Sequence, residues 1–151
     1  GSPAYIYDSV VEGRSAAAVV VSGNGSKLKA VNTSTIGQWH TGLLVDHGGQ
    51  AVLKGCKSDG CNWRGWVVDG SSSILTAHDS SASSNGFGNA RVALGATAHF
   101  VRCSLDNSQG HGLLACGSGT FVATDATSFS SSRRSNVYAS LVLLLSSEGA
   151  R

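Results

Sequence analysis

The sequence predicts an all-β solenoid, a single domain over residues 1–151 built from coils of 23–24 residues, about six of them in a chain of this length. Three observations carry this reading. The stretch Thr97–Gly119, TAHFVRCSLDNSQGHGLLACGSG, has loose copies ahead of it: Ser26–Gly49 ends GLLVDHGG, Gln50–Ser72 ends GWVVDGSS and Ser73–Ala96 ends NARVALGA. The four blocks run 24, 23, 24 and 23 residues, and a fixed period in the twenties marks stacked units rather than one closed core. Finally, the rest of each block is rich in Ser, Gly and Asn, poor helix formers, which excludes the helical back half of a leucine-rich repeat.

Inside each block, apolar residues alternate as they do in strands. Leu113 and Ala115 fall on one face, as do Leu43 and Val45, Trp66 and Val68, and Ala90 and Val92. An earlier strand supplies Leu53, Thr76 and Phe100 as inward candidates, followed by a bend and then Cys56 or Cys103. Three short strands joined by turns make a coil, and coils stack ~4.8 Å apart through main-chain hydrogen bonds. Residues 1–25 read as a degenerate first coil, with Val19 and Val21 in the places of Leu43 and Val45; residues 26–127 are the regular coils. Residues 128–151 read as a polar insertion at Ser130–Arg134, which stretches the last copy, followed by the apolar terminal strand Val137–Leu145. A solenoid end exposes a sheet edge unless it is capped, so this strand is expected to be covered by further coils or by another subunit.

The frame Ala98-x-Phe100-x-x-Cys103-x-Leu105-x-Asn107-Ser108-x-Gly110-His111-Gly112-Leu113-Leu114 resembles the right-handed parallel β-helix of pectin-lyase-like proteins, over roughly Ser26–Thr127. The resemblance implies that fold. It leaves function open, because the scaffold carries lyases, hydrolases, epimerases, tailspikes and non-enzymatic adhesins.

Composition narrows the choices. A net charge of +2 and 13% charged residues, with no basic run beyond Arg133-Arg134, argue against a nucleic-acid partner. The longest apolar runs, Ala16–Val21 and Leu141–Leu145, are far short of the ~20 residues of a membrane-spanning helix. The chain has no methionine and begins Gly1-Ser2, which suggests a fragment of a longer protein. Asn24-Gly-Ser and Asn32-Thr-Ser are glycosylation candidates should the chain be secreted by a eukaryote. Of the four cysteines, Cys56 and Cys103 share a column two coils apart, beyond disulfide reach; Cys103 faces inward and Cys116 outward. Cys56 and Cys61 are the candidate bridge, closing Lys57–Gly60, and otherwise the thiols pack as small apolar groups. No zinc spacing occurs, and no cofactor is implied.

Three constellations could carry chemistry. Gly110-His111-Gly112 is similar to the Gly-His-Gly element of polygalacturonases, where the histidine stands beside catalytic aspartates, but the aspartate motifs of that family are missing. Asp46 and Asp69 share one outward column a rung apart, so they could hold Ca²⁺, as lyases of the resembled fold do, or let one carboxyl keep a proton. The column continues with Ala93 and Cys116, so no third carboxylate completes a calcium site. A third column, Leu44, Val67, Arg91 and Leu114, gives a mostly aliphatic outer face, flanked in sequence by Trp39 and Trp63; contiguous exposed apolar surface marks a contact face.

Two functions are therefore expected. The favoured one is a non-catalytic structural or adhesive β-helix segment of an extracellular or cell-surface protein, docking on protein or glycan through Leu44, Val67, Leu114, Trp39 and Trp63. The alternative is a fragment of a polysaccharide lyase or glycoside hydrolase acting on acidic polysaccharide, with Asp46, Asp69, Arg91 and His111 as its chemical groups.

Overall fold

Strands recur along the chain with the spacing of the sequence repeat. The structure, a computed structural model, describes residues 2–13, 16–38 and 40–147. The first coil comprises β1 (Ala4–Tyr7), β2 (Val10–Glu12) and β3 (Ala17–Ser22), and the second β4 (Lys27–Val31), β5 (Ser34–Ile36) and β6 (Thr41–Asp46). The third contains β7 (Gln50–Lys54), β8 (Lys57–Asp59) and β9 (Arg64–Asp69), and the fourth β10 (Ile74–His78), β11 (Ser81–Ser83) and β12 (Gly88–Ala93). Then come β13 (Thr97–Val101), the long β14 (His111–Asp125) and β15 (Val137–Ser147). Every ladder is parallel, and the chain is a β-solenoid of about six turns with no helix among the described residues. Strands β2, β5, β8 and β11 form one face; β14 runs from one of the other two faces into the other and joins them into a single sheet.

Register follows the repeat. Leu43 pairs with Trp66, Trp66 with Ala90 and Ala90 with Leu113, all inward. Val45, Val68, Val92 and Ala115 form the next inward column. The face formed by β4, β7, β10, β13 and the end of β14 packs Leu28, Ala51, Leu75, Ala98 and Val122 against them, with Trp66 stacked on Phe100 at 6.1 Å between ring centres. Large and small side chains alternate between neighbouring coils, Trp66 beside Ala90 in one column and Leu75 between Ala51 and Ala98 in another.

The corners are held by polar groups that repeat as regularly. Thr33, Cys56, Ser80, Cys103 and Thr127 stand one coil apart just after the first corner. Each donates to the carbonyl two residues back: Val31, Lys54, His78, Val101 and Asp125. Cys56 and Cys103 thus do the work of Ser or Thr, and burial pushes the Cys103 thiol up from its ordinary pKa. At the next corner Gln38, Cys61, Asn85 and Ser108 are buried; Asn85 accepts from the Cys61 amide and donates to Asn89 and to the Ser58 carbonyl. Gly42 and Gly65 lie beside this polar filling, where a Cβ would run into the hydroxyls of Thr35 and Ser58 or the amide of Asn85.

Three expectations need correction. Thr76 is not the inward partner of Leu53 and Phe100; Ala77 is, because the corner Gly70–Ser73 has one residue more than His47–Gly49 and shifts the count by one. Ser130–Arg134 is no insertion, since Val137 pairs with Leu113 and the amides of Arg133 and Arg134 bond to the carbonyls of Ser108 and Gly110. The Cys56–Cys61 bridge is not formed: both thiols are free, and their sulfurs face different corners, one the Lys54 carbonyl and the other Ser58 Oγ. No helix among the described residues is long and apolar enough to cross a membrane.

Phe100 has no exposed surface. Phe100→Asp would place a charge there at a cost of several kcal/mol, comparable to the whole stability of a domain this size. We expect the variant to lose its β circular-dichroism spectrum, whereas unchanged melting would show that this column does not face the core.

Candidate functional site

The outer face of β3, β6, β9 and β12 forms a groove of about 760 Å³. Its floor is Val20, Leu44 and Val67, one column of the ladder, which continues through Arg91 and Leu114 to Tyr138. Leu44 and Leu114 are half-buried, as an outward aliphatic row should be. Val67 is only 8% exposed, a departure from the open surface expected of it; it lies at the foot of the groove between Leu44 and Arg91.

One wall is built from Arg64 and the aromatic residues at the neighbouring corner. The His40 and Trp63 rings meet edge to face at 3.8 Å, Phe87 follows Trp63 at 6.1 Å, and the Arg64 guanidinium carbon lies 5.1 Å from the Trp63 ring centre. Arg64 shares a column with Gly88 and His111. Trp39 lies outside the described residues.

The charges are uneven. Asp69 ion-pairs with Arg91, which leaves Arg64 as a second cation beside one carboxylate. Partial burial and the charge of Arg91 lower the Arg64 pKa, though not enough to make a guanidinium neutral. His111 packs against Tyr138 at 5.5 Å; burial, then Arg134 and Arg64, hold its pKa below the ordinary value. Arg64 Nε, Asp69 Oδ1 and His111 Nδ1 are buried atoms with no hydrogen-bond partner. Such groups cost about 1–3 kcal/mol each when left unsatisfied.

Asp46 and Asp69 do sit one rung apart, but they have different company. Asp46 Oδ1 is 3.1 Å from His47 Nδ1; burial would raise the Asp46 pKa, and Ser22 and His47 outweigh it and leave it lowered. That direction opposes a proton held on Asp46. Among the described residues no group of three or more His, Cys, Asp or Glu is placed to hold a metal ion. Both sequon asparagines are exposed; Asn32 Nδ2 donates to Asp8 Oδ1 at 3.0 Å, a bond that a glycan on that nitrogen would disturb. Ca²⁺ and glycan sites thus keep only their sequence-level support.

Sequence spacing does not bring Arg64, His40 or Tyr138 into the site. Tyr138 is within reach of such reasoning, since it stands 24 residues after Leu114 (138 − 114) and 24 is a period of the repeat. Arg64 is not, because it enters through the reach of its side chain over the Trp63 ring. No protein family, curated protein or solved structure matches this chain.

His111 gives a direct check on the electrostatics. In a proton NMR titration it should protonate below the usual histidine value near 6.5, and Arg134→Ala should raise the midpoint. Because its folded pKa is depressed, its effect on stability is absent above the unfolded value and becomes destabilising as pH falls through it. A midpoint at or above 6.5 would contradict the placement of His111 beside Arg64 and Arg134.

Proposed function

We propose that this chain is a non-catalytic adhesive β-solenoid of the extracellular or cell-surface kind, kin to the right-handed pectin-lyase-like helices, and that its groove binds an extended acidic glycan. The observation that carries this reading is the groove itself: an aliphatic floor, an aromatic wall at Trp63, and two guanidiniums against a single carboxylate. Sugar rings present C–H faces to aromatic surfaces, and their hydroxyl and carboxylate groups match Arg64 and Arg91. The frame around Gly110-His111-Gly112 and the exposed sequons Asn24 and Asn32 support the kinship and the location.

Hydrolysis with inversion would require two carboxyl groups about 6.5–9.5 Å apart, one of them keeping a proton. Here Asp69 is engaged by Arg91 and Asp46 is held ionised, which favours binding over turnover. Binding is tested by affinity electrophoresis in gels containing polygalacturonate, alginate or a neutral glucan. Retardation is expected in the acidic gels, weakened about tenfold by Trp63→Ala, a loss of ~1.4 kcal/mol and in the range of a cation–π or stacking contact. No reducing ends or unsaturated products should appear. Cleavage that Asp69→Asn or Asp46→Asn abolishes would establish the enzyme instead, and no retardation in any gel would remove the glycan.

A further inference from the structure

We propose that the outward side of β4 and β7 is a second binding face, which takes an extended anionic polysaccharide by charge. It is built from lysines and tyrosines that the groove does not use, and it stands independently of what the groove binds.

Register fixes what this face presents. Leu28 and Ala30 on β4 and Ala51 and Leu53 on β7 are buried, so the residues between them point away from the core. Lys27 and Lys29 project from β4, and Val52 and Lys54 from β7, all four exposed. Three of the chain's four lysines thus share one side of two neighbouring strands. Lys27 and Lys29 are ~6.6 Å apart along β4, and Lys54 stands on the next rung, ~4.8 Å away.

Nothing on the face balances these charges. Strands β1, β4, β7, β10 and β13 contain no Asp or Glu. Among the described residues the ion pairs are Asp46 with His47, Asp69 with Arg91 and Asp79 with Arg102, and none includes a lysine. At the corner that follows these strands, Asp8 accepts from Asn32. Asp79 feels the charge of Lys54, but both its oxygens are taken by Arg102. Ammonium groups clustered without acids attract an anion whose charges repeat at a similar spacing.

The tyrosines point to the kind of polymer. Tyr5 pairs with Lys29 and Tyr7 with Val31, so both rings project on this side, next to the lysines. They lie parallel, 5.8 Å between centres and 8° between planes, and are 54% and 50% exposed. Sugar rings rest their C–H faces against such groups while their carboxylates or sulfates reach the ammoniums. A lipid surface is entered by large apolar side chains, and on β4, β7 and β10 the exposed one is Val52 alone. Nucleic acid is held by arginine forks, and these strands contain no arginine. The groove opens on the far side of the core, where Trp66 stacks on Phe100. If the groove also holds a glycan, one chain ties two polymers together.

The test is read by site, in backbone amide shifts of the full chain titrated with a galacturonate hexamer at low salt. Shifts should move at Lys29, Val52 and Lys54, and binding should fall steeply as salt is added. Lys29→Gln with Lys54→Gln should weaken this set about tenfold, as loss of two exposed charge pairs does, and leave the groove's set at Leu44 and Val67 unchanged. Lys57→Gln with Arg133→Gln removes the same charge from other places and should leave the lysine set nearly unchanged. All four side chains are exposed, so folding is not at risk. Trp63→Ala should alter the groove's set alone. Shifts on β4 and β7 without any in the groove would keep this proposal and remove the glycan from the groove. Absence of shifts on β4 and β7, or equal losses from the two double variants, overturns it. So does tighter binding of phosphatidylserine vesicles or duplex DNA than of the hexamer, abolished by the same lysine variant.

Discussion

The fold depends on turning the chain three times per coil at corners whose main chain is left-handed while keeping every ladder in step. At the first corner the positive φ falls on Asp8, Asn32, Gly55, Asp79, Arg102 and Ala126; at the second it falls on Gly37, Gly60, Ser84, Asn107 and Ser131. For residues other than glycine this conformation costs roughly 1–2 kcal/mol each, least for Asn and Asp. The stack offsets that cost by binding one corner to the next: Asn32 donates to Asp8, and Arg102 makes a two-point pair with Asp79. The hydrogen bonds from Arg102 lower the Asp79 pKa; desolvation works against them, and the charge of Arg102 adds to the lowering. Corners and ladders thus sustain one another, and neither would persist in a single isolated coil.

The same constraint shapes the interior. A corner brings main-chain carbonyls inward, so the positions beside it hold Thr, Ser, Cys, Gln or Asn and not aliphatic side chains. Apolar packing occupies the middles of the faces, where Leu75, Val92, Leu105 and Leu113 are fully covered. Farther out, Ser104, Ser128 and Ser130 all donate to Asp106; burial would raise its pKa, and these bonds outweigh that and keep it ionised. Serine is abundant because one short hydroxyl per coil satisfies each such position.

Much of this is legible in the sequence because the repeat converts separation into adjacency. The spacing of Val45, Val68 and Val92 is enough to stack them, and the orientations of Cys103 and Cys116 follow from the alternation. Errors arise where coils differ in length at a corner, as at Gly70–Ser73, because a one-residue change moves a strand's assignment from one face to the other. The terminal coil misleads for the same reason: β15 passes from Ser140 to Val142 where β14 spends Gly117, Ser118 and Gly119, and counting alone places the surplus at Ser130–Arg134. The groove is legible as a column of aliphatic residues. Its charge balance is not, because the pairing of Asp69 with Arg91 and the placement of Arg64 over the Trp63 ring depend on side-chain reach.

The central claim is that parallel register repeats through the whole stack, and nuclear Overhauser contacts between methyl groups measure it most directly. The account predicts contacts from Val45 to Val68, from Val68 to Val92 and from Val92 to Ala115, always about one repeat apart, with none that skip a coil. Contacts whose sequence separation shrinks steadily along a strand pair, as in antiparallel hairpins, or direct Val45-to-Val92 contacts would contradict it.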